Sequence, residues 1–499
     1  MAIRELVDGD IKLALVHNYI IHDDLLEHFP ALRHARRLCV VADARGASRL
    51  RLERALPRDV ELHYPETGHY GTHHTKMFVL VYEGDGGLDF SSMRVGELKA
   101  YLQARRVDMS GVLERVEVEA LCEATRLANP GQRAGVRVIV HTANLIARDL
   151  NEMEQGVWFQ DFPPKREGSR GAASPFEDAL VEYMEATKWP GSVVGGERFT
   201  AESLRCFDFS AAGASFVASV PGYHKGGDMR RWGHLAVREV LRREGAGGSA
   251  DAPNYAIVAN YSSLGSVKAE KATGDSRWLS QEMACSLCAG GAPAADIRLV
   301  WPTQDEVRTS WGGWATGCSV PGKYANVMLE HLMHRYYRVG TGEPGARIHT
   351  PHIKTFARMD VATGRMAYCL LTSSNMSKAA WGQLQKKETQ LFIPSFEAGV
   401  LLTPASLLRR ARAPPFACTR AAERFATALE PPAAGGEPTS VVLLPLQPGG
   451  LTCEVPDTAA VARMPLPYAL PLRKHDGDVP WCWDVDGNAP DRFGSFYKP

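Results

Sequence analysis

The feature that most constrains this chain is an internal repeat. The first copy reads HHTKMF, then VRVIVHTANLIARDL, then EQGVWF, and the second reads PHIKTF, then MAYCLLTSSNMSKAAWG, then ETQLFIPSFEAGVLL. Each copy has a His-x-Lys pair before an apolar run typical of a strand, an Asn after a further such run, and then a Gln or a Glu. The repeat predicts two similar units packed face to face.

Such packing predicts one shared site. The polar residues that recur are one His, one Lys and one Asn per copy: His74, Lys76, Asn144, His352, Lys354 and Asn375. Residues two positions apart share a face of an extended strand, so each His projects beside its Lys. Two lysines and two amides favour an anion and its more highly charged transition state. Histidines, with an ordinary pKa of about 6.5, can attack phosphorus or donate a proton near neutral pH. Two neighbouring histidines should not both be protonated, which splits these roles.

The rest of the chain has an α/β pattern. Short apolar runs bounded by turn or polar residues predict strands at 36–43, 76–83, 136–142, 254–261, 296–302 and 366–372. Amphipathic stretches at 175–189 and 232–244 predict helices that cover the sheets. A strand-like run restarts after a helix near 205–220, where we expect the domain boundary.

Composition excludes some classes of protein. The 57 basic and 57 acidic residues cancel, so any phosphate-binding surface must be local. No uninterrupted apolar run approaches the ~20 residues that a membrane span needs. Cys285 and Cys288 form a CxxC pair without two further ligands nearby, so a zinc site is not indicated.

Residues 84–133 interrupt the strand pattern. The segment MRVGELKAYLQARRVDMSGVLERVEVEALCEA predicts a helix, a turn at DMSG and a second helix, inserted between two strands. It resembles the SAP module, a helix-turn-helix that often binds DNA. Lys99, Arg105 and Arg106 suit phosphate contacts. A structural hairpin or a partner-docking element is the alternative, because Glu114 and two nearby glutamates, Glu117 and Glu119, dilute the positive charge.

The two His-x-Lys motifs resemble the signature of the phospholipase D superfamily. That signature has an Asp five residues after each Lys, where this chain has Val81 and Met359. The departure matches the tyrosyl-DNA phosphodiesterase branch. Further stretches that resemble this branch are YGTHHTKM, VIVHTANLIARDL, QGVWF, RRWGHL, SSLGSV, VRTSWGG, PHIKT, TSSNMSKAAWGQL, SFEAGVL and PWCWD.

The resemblance implies an α/β fold of two similar phospholipase D-like α-β-α sandwich domains, related by a pseudo-two-fold axis. They are expected at 1–205 and 206–499, with the helical insertion at 84–133. It also implies a phosphodiesterase that acts without metal or other cofactor.

The resemblance also implies roles for the site residues. His74 is expected to be the nucleophile and His352 the general acid and then base, while the lysines and asparagines hold the phosphate oxygens. Gln155 and Glu397 are expected to orient the imidazoles from behind. A carboxylate raises the pKa of its histidine, so we expect Glu397 behind His352 and Gln155 behind His74.

The implied substrate is a DNA 3′ end that carries a tyrosine or peptide remnant of topoisomerase I, hydrolysed to a 3′ phosphate. Tyr70 is expected either to stack on a base or to be a core aromatic at a strand edge. Residues in matching motifs are expected to contact DNA phosphates: Ser262, Ser263, Ser377 and Lys378. Ser377 and Lys378 could equally cap the next helix.

Two other functions are compatible with such a site. One is a phospholipid phosphodiesterase or transphosphatidylase, which the absent Asp residues and the lack of a membrane segment disfavour. The other is a DNA-end-binding protein without catalysis, which the complete set of site residues disfavours. A monomer suffices, because one chain supplies both halves. DNA repair implies the nucleus, with an organelle as the alternative.

Overall fold

The computed structural model describes most of the chain. The described residues are 3–45, 47–84, 90–91, 93–104, 107–112, 114–128, 132–166, 174–247, 255–291, 296–343, 345–425, 429–447, 449–487 and 489–499. None of the described helices is long and apolar enough to span a membrane.

The first half is built on a six-stranded sheet. In chain order its strands are Ile11–Asn18, Arg37–Ala42, Glu61–His63, Met77–Tyr82, Gly135–His141 and Val157–Phe162. Across the sheet their order is third, second, first, fourth, fifth, sixth. The first three strands are parallel to each other, and the last three join in antiparallel pairs. The central strands are buried throughout, which explains why their sequences are continuously apolar.

The second half repeats this arrangement in a nine-stranded sheet. Its six equivalent strands are Tyr255–Asn260, Asp296–Val300, Tyr336–Tyr337, Thr355–Asp360, Met366–Thr372 and Glu397–Leu402, in the same spatial order. The pattern of parallel and antiparallel pairs is also the same. Three strands extend the sheet: Ser215–Ser219, Ser440–Pro445 and Ala459–Met464. Two sheets of one topology confirm the predicted pair of similar α/β domains.

Smaller strands lie outside these sheets. Ser192–Val194 and Glu197–Phe199 form a hairpin, and Gly222–Lys225, Gln383–Gln385 and Gln390–Ile393 form a three-stranded antiparallel sheet. All six predicted strand runs coincide with strands of the two large sheets.

Helices and single helical turns cover the sheets. Those of the first half are Ile3–Leu6, Leu25–His28, Pro30–Arg33, Ala47–Ala55, Ala147–Asn151 and Pro175–Ala186. Those of the second half are Ala201–Cys206, Gly226–Arg231, Gly233–Arg243, Trp278–Met283, Ala284–Leu287, Gln304–Thr309, Gly313–Ser319, Tyr324–Val327, Glu330–Met333, Lys378–Trp381, Pro404–Arg412 and Arg420–Phe425. Helix Pro175–Ala186 begins where predicted, because Ser174 accepts a hydrogen bond from the Glu177 N–H and Pro175 has the φ angle of a first helical residue.

The insertion between the fourth and fifth strands contains two helices, Val95–Ala104 and Arg115–Ala128. Six buried side chains give it a small apolar core of its own: Phe90, Leu98, Tyr101, Leu102, Val118 and Cys122. Lys99 is exposed, whereas Arg105 and Arg106 lie outside the described residues. The helix-turn-helix prediction is therefore confirmed, and its DNA contact stays a prediction.

Candidate active site

The site forms where a segment of each half pairs with a segment of the other half. The segment before strand Met77–Tyr82 pairs with the second half, because His73 forms a parallel bridge with Phe396. The His74 N–H donates to the Phe396 carbonyl at 3.0 Å, and the Phe396 N–H donates to the Thr72 carbonyl at 2.8 Å. This exchange brings the first His-x-Lys pair against the second sheet.

The second His-x-Lys pair makes the reciprocal exchange. Glu154, just before the last strand of the first sheet, bridges Pro351 in parallel. The His352 N–H donates to the Glu154 carbonyl at 2.9 Å, and the Glu154 N–H donates to the Thr350 carbonyl at 3.3 Å. Both imidazoles therefore lie at the interface of the two halves, as the repeat predicts.

Hydrogen bonds fix the tautomer of His74. Its Nδ1 lies 2.9 Å from Glu397 Oε2, and its Nε2 lies 3.2 Å from the Lys76 ammonium. An ammonium can only donate, so Nε2 must be the acceptor and the ring proton must sit on Nδ1. Burial lowers the pKa of His74 below its usual value, although Glu397 opposes the shift. His74 is thus a neutral imidazole whose Nε2 lone pair faces the site.

The expected pairing of Glu397 with His352 is wrong. Glu397 accepts hydrogen bonds from His74 and from Ser373 Oγ. The reason is the parallel pairing of the two segments. Because His73 lies opposite Phe396, the next residue of each segment also faces the other, which brings His74 opposite Glu397. Burial alone would raise the pKa of Glu397, but its interaction and hydrogen bond with His74, together with the charge of Lys76, outweigh burial, and the pKa lies below its usual value.

A different carboxylate faces His352. Asp149 Oδ2 lies 3.3 Å from His352 Nδ1 and is fully buried. Burial, and then the charges of Lys354 and Lys76, lower the pKa of His352 well below its usual value. In the free protein His352 is therefore neutral at neutral pH. The Asp149 carboxylate lies where it would stabilise the protonated ring.

Gln155 does not contact the ring of His74, so that expectation is also wrong. Its Oε1 accepts from Thr142 Oγ1 at 2.9 Å, and its Nε2 donates to the Asp149 carbonyl at 3.0 Å. Gln155 belongs to the segment that bridges Pro351, which places it on the His352 side of the site.

Both lysines are buried behind their histidines. Lys76 Nζ donates to the His74 carbonyl at 3.1 Å, and Lys354 Nζ donates to the His352 carbonyl at 2.5 Å. Burial lowers the pKa of Lys76 to about 8, against the opposing charges of Glu397 and Asp149. Burial and then Lys76 lower the pKa of Lys354 well below its usual value. A bound anion would relieve this mutual repulsion.

The two asparagines are oriented by different partners. Asn144 donates through its backbone N–H and its Nδ2 to Asp149 Oδ2, both at 2.9 Å. Asn375 Oδ1 accepts three hydrogen bonds, from the backbone N–H groups of Ser262 and Ser263 at 3.1 and 3.0 Å and from Ser262 Oγ at 3.2 Å. With its oxygen so occupied, Asn375 has only its N–H groups to offer to a phosphate.

Ser262 therefore positions Asn375, and the expected contact of its side chain with DNA is wrong, because Ser262 is fully buried. Ser263 and Lys378 are half-buried and stay candidates for DNA contact. Ser377 caps helix Lys378–Trp381, since its side chain accepts from the Ala380 N–H at 3.2 Å. Tyr70 is 83% exposed, which excludes the core-aromatic alternative.

Sequence reasoning missed two residues of the site. Asp149 follows Asn144 by five positions, and the second copy has an apolar residue, Ala380, at the equivalent place. Tyr19 lies with its ring centroid 5.0 Å from that of His74. The sequence did contain a signal for Tyr19. Strands Ile11–Asn18 and Tyr255–Asn260 each end in an Asn that a Tyr follows, within HNY at residues 17–19 and within ANY at residues 259–261.

One group of three potential metal ligands exists within the described ranges, formed by His22, Asp23 and Asp24. Asp23 is paired with Arg51 at 2.8 Å and Asp24 with His28 at 3.0 Å. Asp149 and Glu397, the site carboxylates, are each held by a histidine and by hydrogen-bond donors. The donors of the site therefore suit an anion.

Two sheets of one topology, each presenting a His and a Lys at a shared anion site, define a phosphodiester hydrolase of the phospholipase D type. The sequence profile of the family described as tyrosyl-DNA phosphodiesterase matches residues 1–88 and 131–476. The chain belongs to this family of DNA-repair phosphodiesterases. The profile leaves out almost all of the helical insertion.

Individual relatives agree with this assignment. Over its full length the chain is 30% identical to tyrosyl-DNA phosphodiesterase 1 of Arabidopsis thaliana, and it spans 73% of that protein. It is 31% identical to a probable tyrosyl-DNA phosphodiesterase of Caenorhabditis elegans over 54% of this chain and 59% of the relative. The solved structure of the yeast tyrosyl-DNA phosphodiesterase shares the fold, with a TM-score of 0.60, 16% identity and coverage of 96% of each chain.

These findings do not favour the phospholipid alternative. Val81 and Met359, which replace the acidic residue of the wider superfamily motif, are buried apolar side chains within the central strands. The phosphodiesterase function is the one that the family supports.

Proposed function

We propose that the protein hydrolyses the bond between a tyrosine and a DNA 3′ phosphate in two steps, through a covalent phosphohistidine. The observation that carries the proposal is the state of His74, a neutral imidazole with its proton held on Nδ1 by Glu397 and its Nε2 free of a proton and in contact with the Lys76 ammonium. A second imidazole, His352, is available for proton transfer.

In the first step His74 Nε2 attacks phosphorus, and the bond from phosphorus to the tyrosine oxygen breaks. The two lysines and two asparagines hold the non-bridging oxygens. Burial, and then the ammonium charges of Lys354 and Lys76, depress the pKa of His352. Binding of the negatively charged phosphate offsets the ammonium charges, which raises this pKa and favours protonation of His352. That proton passes to the leaving phenolate, and Glu397 stabilises the positive charge that develops on His74.

In the second step His352, now neutral, accepts a proton from water, and the resulting hydroxide attacks phosphorus. The bond from phosphorus to His74 breaks, which releases a DNA 3′ phosphate and restores the free imidazole. The close approach of Asp149 to His352 Nδ1 stabilises the protonated ring.

The substrate that this chemistry serves best is a DNA 3′ end that carries a remnant of topoisomerase I. The exposed ring of Tyr70 offers a stacking surface for a base near the nucleophile. Ser263, Ser377 and Lys378 flank Asn375 and offer donors for the next phosphates. One chain supplies every residue of the site, so the proposal needs only a monomer. The proposed function implies that the protein acts on nuclear or organellar DNA.

The test uses a labelled oligonucleotide with a 3′-phosphotyrosine, incubated in the presence of a chelator. Wild-type protein is expected to release a 3′-phosphate oligonucleotide. His352→Ala is expected to accumulate a protein–DNA adduct that resists denaturation, because loss of the base slows the second step more than the first.

The matched control is His224→Ala, a half-buried histidine of the small three-stranded sheet, which should behave as wild type. His74→Ala should form no adduct. An adduct that forms in His74→Ala but not in His352→Ala would reverse the two roles. Failure of wild type to cleave the substrate would refute the proposed substrate.

A further inference from the structure

An exposed cluster of aromatic and basic side chains lies near the second His-x-Lys segment. We call it the Trp311 cluster, and its members are Trp311, Arg347, His349, Arg492 and Phe493. The Trp311 side chain is 47% exposed and that of Phe493 is 64% exposed. The rings of Trp311 and His349 stack with centroids 5.9 Å apart. Exposed large aromatics grouped in this way are typical of a binding surface.

The cluster carries positive charge that is not neutralised locally. The guanidinium carbons of Arg347 and Arg492 lie 5.3 and 5.1 Å from the Trp311 ring centroid, and that of Arg492 lies 5.0 Å from Phe493. Neither arginine forms an ion pair with any described carboxylate. The adjacent Asp491 is occupied by backbone N–H groups, including those of Trp314 and Phe493. Arg492 donates one N–H, from Nη1, to the Trp311 carbonyl at 3.0 Å. The remaining N–H groups of guanidiniums stacked on aromatic faces stay available for a carboxylate or a phosphate.

Hydrogen bonds connect the cluster to the active site. The Trp311 N–H donates to the Ile348 carbonyl at 3.1 Å, four residues before His352. The helical turn that follows, Gly313–Ser319, reaches the site, because Ser319 Oγ donates to Asp149 Oδ1 at 3.3 Å. The cluster is thus built on the same segments that support His352.

The repeat shows which side of the site this is. Tyr70 precedes His74 by four residues, and Ile348 precedes His352 by four residues. The repeat therefore makes Ile348, whose carbonyl accepts from the Trp311 backbone N–H, the counterpart of Tyr70. Tyr70 belongs to the His74 segment, and the Trp311 cluster is bonded to the His352 segment.

The geometry of in-line displacement indicates which part of the substrate lies at the Trp311 cluster. The nucleophile and the leaving oxygen stand on opposite sides of phosphorus, so the tyrosine leaves on the side of His352. We propose that the Trp311 cluster binds the peptide attached to that tyrosine and prefers peptides with acidic side chains. This inference rests on the proposed function, since it takes the peptide-bearing tyrosine as the leaving group.

The experiment compares four adducts on one oligonucleotide: a lone 3′-phosphotyrosine, and the same tyrosine within an acidic, a neutral or a basic hexapeptide. The variants are Trp311→Ala and the double variant Arg347→Gln/Arg492→Gln. The control, Arg54→Gln/Arg58→Gln, removes two exposed arginines near the outer strand of the first sheet.

Wild type and control are expected to cleave the acidic-peptide adduct with the highest kcat/KM. The double arginine variant should lose about tenfold on that adduct, the effect of two partly exposed charge pairs, and nothing on lone phosphotyrosine. Trp311→Ala should weaken cleavage of all three peptide adducts, because the platform itself is lost.

Other outcomes would overturn the inference. An equal loss on every adduct, lone phosphotyrosine included, together with a shallower salt dependence, would assign the cluster to DNA phosphates. Unchanged rates in both variants would exclude any substrate contact. If wild type cleaved none of the adducts, the proposed function would fall, and that result is distinct because lone phosphotyrosine needs no peptide contact.

Discussion

The hydrogen bonds of His74 place its ring proton on Nδ1. Glu397 accepts it on one side of the imidazole, and the Lys76 ammonium donates to the lone pair of Nε2 on the other. This arrangement resembles that of other activated nucleophiles, in which a carboxylate behind an imidazole fixes its tautomer. In the proposed mechanism the imidazole is itself the attacking group, so the tautomer determines whether attack is possible.

Replacement of Glu397 by Gln is expected to slow adduct formation by about 10² to 10⁴-fold. A carboxamide can donate to Nδ1 and so favour the tautomer with the proton on Nε2, which has no lone pair to attack with. The measurement is the single-turnover rate on a 3′-phosphotyrosyl oligonucleotide.

A matched control is Glu244→Gln, which changes a carboxylate held by the hydroxyls of Ser215 and Thr403 and by Arg409. It should leave the rate of adduct formation unchanged. A Glu397→Gln variant as fast as wild type would show that the carboxylate does not set the tautomer.

The short parallel pairing between residues 71–74 and 394–397 holds His74, the proposed nucleophile, in place. A methyl group on Gly71 would lie 1.9 Å from the Pro394 carbonyl oxygen, a contact with backbone that no side-chain rotation can relieve. The absence of a side chain at Gly71 thus allows the two halves to approach closely enough for His74 to meet Glu397.

Gly71→Ala is therefore expected to displace the His74 segment. We expect a loss of about 10²-fold in kcat/KM, the effect of a shift of about 1 Å in a catalytic group, and about 1–3 kcal/mol of stability. Steady-state kinetics on the 3′-phosphotyrosyl oligonucleotide and urea unfolding measure the two effects.

Gly68 provides the control, three residues earlier in the same loop. A methyl group there has no neighbour within 4 Å, so Gly68→Ala should leave both activity and stability near wild type. If the two variants behaved alike, the contact with Pro394 would not be what positions His74.

The joined halves enclose several neutral histidines at their interface. The ring of His17 lies 5.4 Å from that of His73 and 6.2 Å from that of Tyr183, and His73 in turn lies 5.5 Å from Phe396 of the second half. Burial, and then the charge of His63, lower the pKa of His17 to about 3. Burial also lowers the pKa of His73 well below its usual value.

Acid should therefore destabilise the folded chain. In the unfolded state His17 titrates near pH 6.5, but in the folded state it stays neutral down to about pH 3. Its contribution is fully present above pH 6.5 and is lost as pH falls from 6.5 towards 3, by up to about 1.4 kcal/mol per pH unit. The measurement is the free energy of unfolding in urea between pH 7 and pH 4.5.

His17→Phe keeps a ring in this place and removes the titrating group, so its stability should fall less steeply with acid than that of wild type. The exposed His69 serves as control, and His69→Gln should keep the wild-type slope. Equal slopes in all three proteins would mean that His17 does not contribute to acid unfolding.

The sequence alone predicted the strands, the two-fold repeat and the six repeated site residues. Such information is local. An apolar run bounded by turns predicts a buried strand, and residues two positions apart share a face, whatever the rest of the chain does. The residues His74 and Lys76 therefore lie together, as do His352 and Lys354, as their spacing predicts.

Only the tertiary structure decided which partner each histidine received. His74 and Glu397 are 323 positions apart, and their contact depends on how the two domains dock. The exchange of segments at the interface gave Glu397 to His74, and left Asp149, which has no counterpart in the repeat, beside His352. Ser262 likewise became a support for Asn375 because of packing around it. Spacing along a chain determines which side chains share a strand face, but contacts between domains follow from the fit of two buried surfaces, which no local pattern encodes.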